Sequence, residues 1–229
     1  MKKFLALFGV VLCMMLVVSC VKDDLPKPPY PPVVTYTVAI NTIGKGVTNP
    51  EKSLTLIAGS TGKVIATPEQ GVVLYKATLS TAGELPLPKM EGDIQINIPV
   101  LSSNAELRLD FISKMLYTLV KQGKPYHLDS MNVHNSNNIL VKSIVLTDAE
   151  KNDEYSFTYP DMRFVCKSPN GAQSSGPFSL SGSVLTIGAN VRYIQESRTN
   201  ENKLVHRTPP ESKPGYVGLV TTEYVYVRR

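Results

Sequence analysis

Asp93-Ile94-Gln95-Ile96-Asn97-Ile98-Pro99-Val100 decides the fold class, because three isoleucines fall at every second position with polar residues between them. One face of such an extended segment is apolar and the other is wet, which is the signature of a half-buried strand. Similar strand-like segments recur downstream at 139–146, 155–159, 163–167, 183–187, 191–194 and 216–227, separated by Asn, Asp, Gly and Pro. That spacing fits a β-sandwich better than alternating strands and helices. Composition agrees: 42% apolar residues can build a core, while 17 prolines, 11 tyrosines and a charged fraction of 19% favour strands and turns over charged surface helices. The chain is therefore expected to be mainly β, with a β-sandwich-like module over 83–229. One segment reads two ways. Ser103-Asn104-Ala105-Glu106 matches a capping box, and apolar positions at 105, 109, 112, 116 and 119 then favour a helix over 104–122 with Gly123 closing it. Leu107, Leu109 and Phe111 also alternate, which suits a hairpin; the helix is the preferred expectation.

Upstream of the hinge Gly83-Glu84-Leu85-Pro86-Leu87-Pro88, residues 35–82 show three or four short strands with glycine at their corners. Tyr36-Thr37-Val38, Gly44 and Gly46 with Val47, Pro50, Ala58-Gly59-Ser60 and Ala66-Thr67-Pro68-Glu69 before Gly71 resemble the small β-grasp-like repeats of bacterial surface proteins related to the internalin B-repeat. The pattern departs where that family places an aromatic residue and then Trp: Val72-Val73-Leu74-Tyr75 stands there, and the chain has no Trp. The resemblance implies a small β-grasp-like spacer or adhesion module.

The first twenty residues carry an address. Lys2 and Lys3 precede an uncharged run from Phe4 to Val18, the layout of a secretory signal and too short for a spanning helix. Val17-Val18-Ser19-Cys20 resembles the lipobox of bacterial lipoproteins, which implies removal of residues 1–19 and acylation of Cys20. Lys22-Asp23-Asp24 just after it resembles the surface-export signal of Bacteroidetes lipoproteins, which implies outer-membrane attachment with display on the cell surface; a periplasm-facing anchor is the alternative. Residues 20–34 then form a lipidated, proline-rich tether able to reach about 40 Å at ~3.1 Å per residue. Cys166 is left alone in the mature chain, so no intramolecular disulfide is expected, and it reads as a small buried hydrophobe.

Chemistry leaves little trace. Losing Lys2 and Lys3 lowers the formal charge from +5 by two to +3, scattered among carboxylates, which excludes a nucleic-acid footprint. His127, His134 and His206 lack metal-site spacing, and no nucleophile elbow, phosphate loop or zinc-protease motif occurs. Neither metal nor cofactor is expected, and the chain does not read as an enzyme. Asp129-Ser130-Met131 resembles the short O-glycosylation acceptor of exported Bacteroidetes proteins, which implies a sugar on Ser130. The polar segment 195–214, with Arg198, His206 and Arg207 between Tyr193 and Tyr216, is the candidate ligand loop. The expected role is a non-catalytic binding, adhesion or structural component of the envelope. A glycan-binding accessory of a polysaccharide-uptake system and a fimbrillin-like anchor or tip subunit are the rivals. Expected partners are the membrane, through the lipid, and a glycan or another envelope protein. The final strand could also be exchanged between subunits.

Overall fold

The computed structural model describes residues 31–121 and 124–229. The signal, Cys20 and the Lys22-Asp23-Asp24 triplet lie outside the described residues, as does Gly123. The chain divides into a unit ending at Thr35 and a compact unit from Tyr36 to Arg229. Of the first, residues 31–35 are exposed. Among the described residues no helix is long and apolar enough to cross a membrane.

The chain is mainly β, as its alternation requires. Eight strands build the first part: β1 (Thr35–Ile43), β2 (Gly46–Asn49), β3 (Ser53–Ile57), β4 (Gly62–Pro68), β5 (Val72–Leu79), β6 (Gly83–Glu84), β7 (Ile94–Ile98) and β8 (Ala105–Ser113). They form a five-stranded sheet in the order β3-β1-β8-β5-β6 and a three-stranded sheet β2-β4-β7. The sheets share one core that includes Val38, Val64, Leu74, Leu79, Leu107 and Leu109. Ile94, Ile96 and Ile98 of β7 are all fully buried in it, as their spacing demands. No helix lies within 35–113, and the module is two sheets of strands. It also runs past the expected boundary at 82/83, because β4 pairs with β7 and β8 pairs with both β1 and β5. The proline-marked hinge is a connection inside one module, since burying Ile94 to Ile98 needs the sheets on either side of it.

The expected helix over 104–122 is corrected in the same way. Residues 105–113 are strand β8, with Ala105, Leu107, Leu109 and Phe111 buried on one face. The period of two wins because β8 is a central strand, hydrogen-bonded to neighbours on both sides. Helix begins only afterwards, as α1 (Lys114–Val120), and its cap is Ser113, whose Oγ accepts from the Leu116 N–H at 3.1 Å.

Ten strands follow: β9 (Tyr126–Asn135), β10 (Leu140–Ile144), β11 (Glu154–Thr158), β12 (Arg163–Lys167), β13 (Gln173–Ser181), β14 (Val184–Ile187), β15 (Asn190–Ile194), β16 (Lys203–Arg207), β17 (Glu211–Ser212) and β18 (Leu219–Arg228). They do not stack as two sheets. Strands β11 to β16 meander antiparallel into β18, and β18 turns back to pair with β9 along its length, closing an eight-stranded barrel-like sheet. Strands β10 and β17 hang from its rim. Closure in place of a sandwich has a plain cause: β9 and β18 are each ten residues long and find each other, so neither is left as an edge. The remaining join, β11 to β9, is one residue pair, Tyr155 with Tyr126. Phe157, Phe178, Leu185, Ile194 and Leu204 fill the interior.

Helix α1 packs Leu119 and Val120 into this second core. Carbonyls in its last turn, which no helical N–H reaches, accept from the barrel: Thr118 O from Tyr126 Oη at 2.9 Å and from Arg228 Nη2 at 3.2 Å, and Leu119 O from Arg228 at 3.3 Å. The Arg228 guanidinium also lies 4.3 Å from the Tyr126 ring centroid.

Candidate functional site

An eight-stranded barrel is just wide enough to be filled by its own side chains or to hold one small ligand. Here both occur. Part of the interior is packed by the apolar residues named above, and beside them a cavity of about 160 Å³ remains, with the exposed Asn190 among its lining residues.

Its wall is a run of rings whose order follows from strand register. Phe157 and Phe164 are partners across β11 and β12 and stand 5.4 Å apart. Tyr155, two positions before Phe157 and so on the same face, meets Phe164 at 5.9 Å and Tyr226 edge-on at 4.9 Å. Tyr224 and Tyr226, again two apart, lie against the His206 ring at 5.2 and 5.3 Å. Arg192, inward on β15 because Tyr193 points out, places its guanidinium 5.4 Å from the Tyr224 centroid. Leu204 and Ile187 complete the apolar side.

Two polar groups stand out. Burial, and then the charge of Arg192, depress the His206 imidazole to about 3, so the ring is neutral at physiological pH. It is 3% exposed, and its Nδ1 has no hydrogen-bond partner. Arg192 is half-buried and, among the described residues, has no carboxylate within salt-bridge distance; its Nη1 donates only to its neighbour's carbonyl, Val191 O, at 3.0 Å. Burial also raises the Tyr155 and Tyr226 phenols well above their ordinary value, so both remain protonated.

The candidate ligand loop is thus dismantled. Its middle, Lys203–Arg207, is strand β16, paired with β15 and β18. The period of two within it sends His206 into the cavity and Arg207 to the outside, where Arg207 meets Arg198 on a carboxylate absent from the sequence reading. Glu223 is 1% exposed and accepts from Arg198 Nη1 at 2.7 Å and from Arg207 Nη2 and Nε at 2.8 and 3.1 Å. With its amide nitrogen turned inward, Gln195 adds a bond at 3.0 Å. Burial alone would push the Glu223 carboxyl up; hydrogen bonds from Arg207 and Arg198, with their charges, outweigh it and hold the group below the ordinary carboxylate range. These two arginines clamp the turn Glu196–Arg198 to the barrel wall and are not free to bind a ligand.

Ser130 is half-buried within the β9–β18 ladder, opposite Val225, rather than on a loop. Cys166 is free, half-buried and opposite Tyr155 on the inward face; burial, then Asp153, raise its thiol. Tyr216 is half-buried, and Tyr193 is 46% exposed. Among the described residues no cluster of three or more His, Cys, Asp or Glu is arranged to hold a metal. The chain matches no family model, no curated protein and no solved structure.

Proposed function

We propose that this chain is an outer-membrane lipoprotein, acylated on Cys20 and displayed at the cell surface, whose C-terminal barrel is a non-catalytic binding module for a small molecule. The cavity is the observation that carries the binding role. It is a walled space in the interior, lined by rings, by a His206 imidazole whose Nδ1 has no hydrogen-bond partner, and by Arg192, which has no carboxylate partner among the described residues. The sequence of residues 1–24 supports the address.

Two experiments test this reading. Labelled palmitate should enter the wild type and not Cys20→Ser, and protease added to intact cells should remove the wild-type ectodomain while sparing a Lys22-Asp23-Asp24 to alanine variant. For the cavity, xenon should produce a bound resonance with the full chain in detergent, and Ile187→Trp, which fills the space, should abolish it. Xenon exclusion by the wild type would remove the binding role.

A second reading has its own observation. Strand β10 pairs with β9 only, and Ile139, Leu140, Val141 and Val145 are 60, 53, 49 and 92% exposed along or beside it. Such an edge supports strand addition by another envelope protein.

A further inference from the structure

We propose that the barrel cavity binds a small aromatic carboxylate, its ring lying against Tyr224, Tyr226 and Phe164 and its carboxylate paired with Arg192. This rests on the binding role given above and names the ligand class for it.

Size sets the first limit. A cavity of about 160 Å³ is far below the roughly 300–1,000 Å³ of pockets that take larger ligands. An apolar cavity of about 150 Å³ is known to bind benzene, so one six-membered ring fits and a long acyl chain or an oligosaccharide does not. The wall sets the second. Rings on several sides of the space, in edge-on and tilted contacts of 4.9 to 5.9 Å, present both faces and edges to a guest. A flat aromatic guest extends that packing, whereas a saturated ring presents no π-face to it.

Charge sets the third. A guanidinium inside a barrel costs free energy unless it is paired, and the described residues offer Arg192 only a backbone carbonyl and the face of Tyr224. Among the half-buried arginines, Arg228 has two helix-end carbonyls and the Tyr126 ring, and Arg207 has a carboxylate at 2.8 Å. What Arg192 lacks is the same partner, and a planar carboxylate is the group its fork of N–H donors matches. His206 supplies a separate sign of a guest. It is 97% buried with Nδ1 unpaired, next to the cavity it lines, so a bound molecule with a polar ring substituent would meet a neutral imidazole able to donate or accept.

The test uses the full chain in detergent, titrated with benzoate, benzamide and cyclohexanecarboxylate by calorimetry. Benzoate should bind at least tenfold more tightly than benzamide, the smallest effect expected of a charge-assisted hydrogen bond. It should also bind more tightly than the saturated acid. Arg192→Gln should erase the benzoate preference while keeping benzamide binding. It should also raise the melting temperature, because it removes an unpaired cation. Arg192→Lys, which retains the charge but not the fork, should leave part of the preference and serves equally if the glutamine variant does not fold. Equal binding of benzoate and benzamide, or an unchanged ratio in the variants, overturns the carboxylate assignment. Equal binding of benzoate and cyclohexanecarboxylate overturns the aromatic one. If none of the three binds while xenon still enters, the ligand class is wrong and the binding module stands. If xenon is excluded as well, the module reading falls with it.

Discussion

Replacing Glu223 by Gln should cost about 3 kcal/mol of folding free energy at pH 7. Removing one partner of a buried ion pair costs roughly 3–5 kcal/mol, because the other charge stays out of water without compensation. The structure places this case at the low end. Arg198 has a side chain 44% exposed and can turn into solvent, whereas Arg207, at 17%, cannot. The glutamine oxygen also keeps one acceptor in place. For a chain of this length each 1 kcal/mol moves the melting temperature by about 2–4 °C, so the variant should melt about 6–12 °C below wild type. The pH dependence carries a sign. Glu223 is depressed in the folded state, so its contribution is complete above the unfolded carboxylate pKa of about 4.3 and is lost as pH falls through the native value. Melting curves of wild type and Glu223→Gln, followed by circular dichroism from pH 7 downward, should therefore converge in acid. A double variant, Glu223→Leu with Arg207→Leu, should recover much of the loss, since an apolar pair leaves no buried charge behind. A drop below 2 °C at pH 7, a gap that persists in acid, or simple additivity in the double variant would refute the clamp.

His206→Phe should flatten a different part of the stability profile. Wild-type His206 stays neutral down to about 3 while an unfolded histidine protonates near 6.5, so wild type loses up to about 1.4 kcal/mol per pH unit below 6.5 and the variant should lose less. Its ring resonances should hold still between pH 8 and 5. Gly44→Ala and Gly59→Ala share a positive φ of 87° and 84°, yet the first would put a Cβ 2.0 Å from the Phe111 carbonyl oxygen and the second meets nothing within 4 Å. Urea denaturation should show Gly59→Ala losing about 1 kcal/mol and Gly44→Ala losing at least about 1–3 kcal/mol more. Ser113→Ala removes the α1 cap and should cost about 1 kcal/mol by the same assay.

Much of the strand content was legible because burial on one face writes itself as alternation: Ile94 to Ile98 and Arg163 to Lys167 fall where that pattern puts them. What alternation does not carry is a strand's partner. Leu107, Leu109 and Phe111 alternate within a stretch that also satisfies a helical period, and only the neighbours β1 and β5 on either side decide between them. Closure of the barrel is likewise a pairing between residues 85 to 102 positions apart, Asn135 with Val220 and Tyr126 with Arg228, and no local feature records it. Thr147-Asp148-Ala149-Glu150 was legible in principle. It is a capping box, with Thr147 N and Oγ1 donating to Glu150 at 2.8 Å, and it starts the short helix α2 (Asp148–Asn152).

The candidate site was hidden for a physical reason that also gives it meaning. Polar residues between strands are ordinarily read as loop, because a charge on the inside of a barrel destabilises the fold. Lys203-Leu204-Val205-His206-Arg207 looks like loop by that rule and is a strand, since its basic groups divide between the faces: Lys203 and Arg207 share one face, where Arg207 meets Glu223, and His206 goes to the cavity on the other. Val191-Arg192-Tyr193-Ile194 breaks the rule the other way, with the tyrosine outside and the arginine within. Turning Arg192 to solvent and Tyr193 inward would flip the whole strand and expose Ile194, which is only 5% exposed in the core. The pairing of Ile194 with His206 and of Leu185 with Arg192 fixes the opposite choice, and it sets a cation and an imidazole beside one another in a space lined by rings. Local rules fail at the residues that do not serve the fold, and here those residues converge on one cavity.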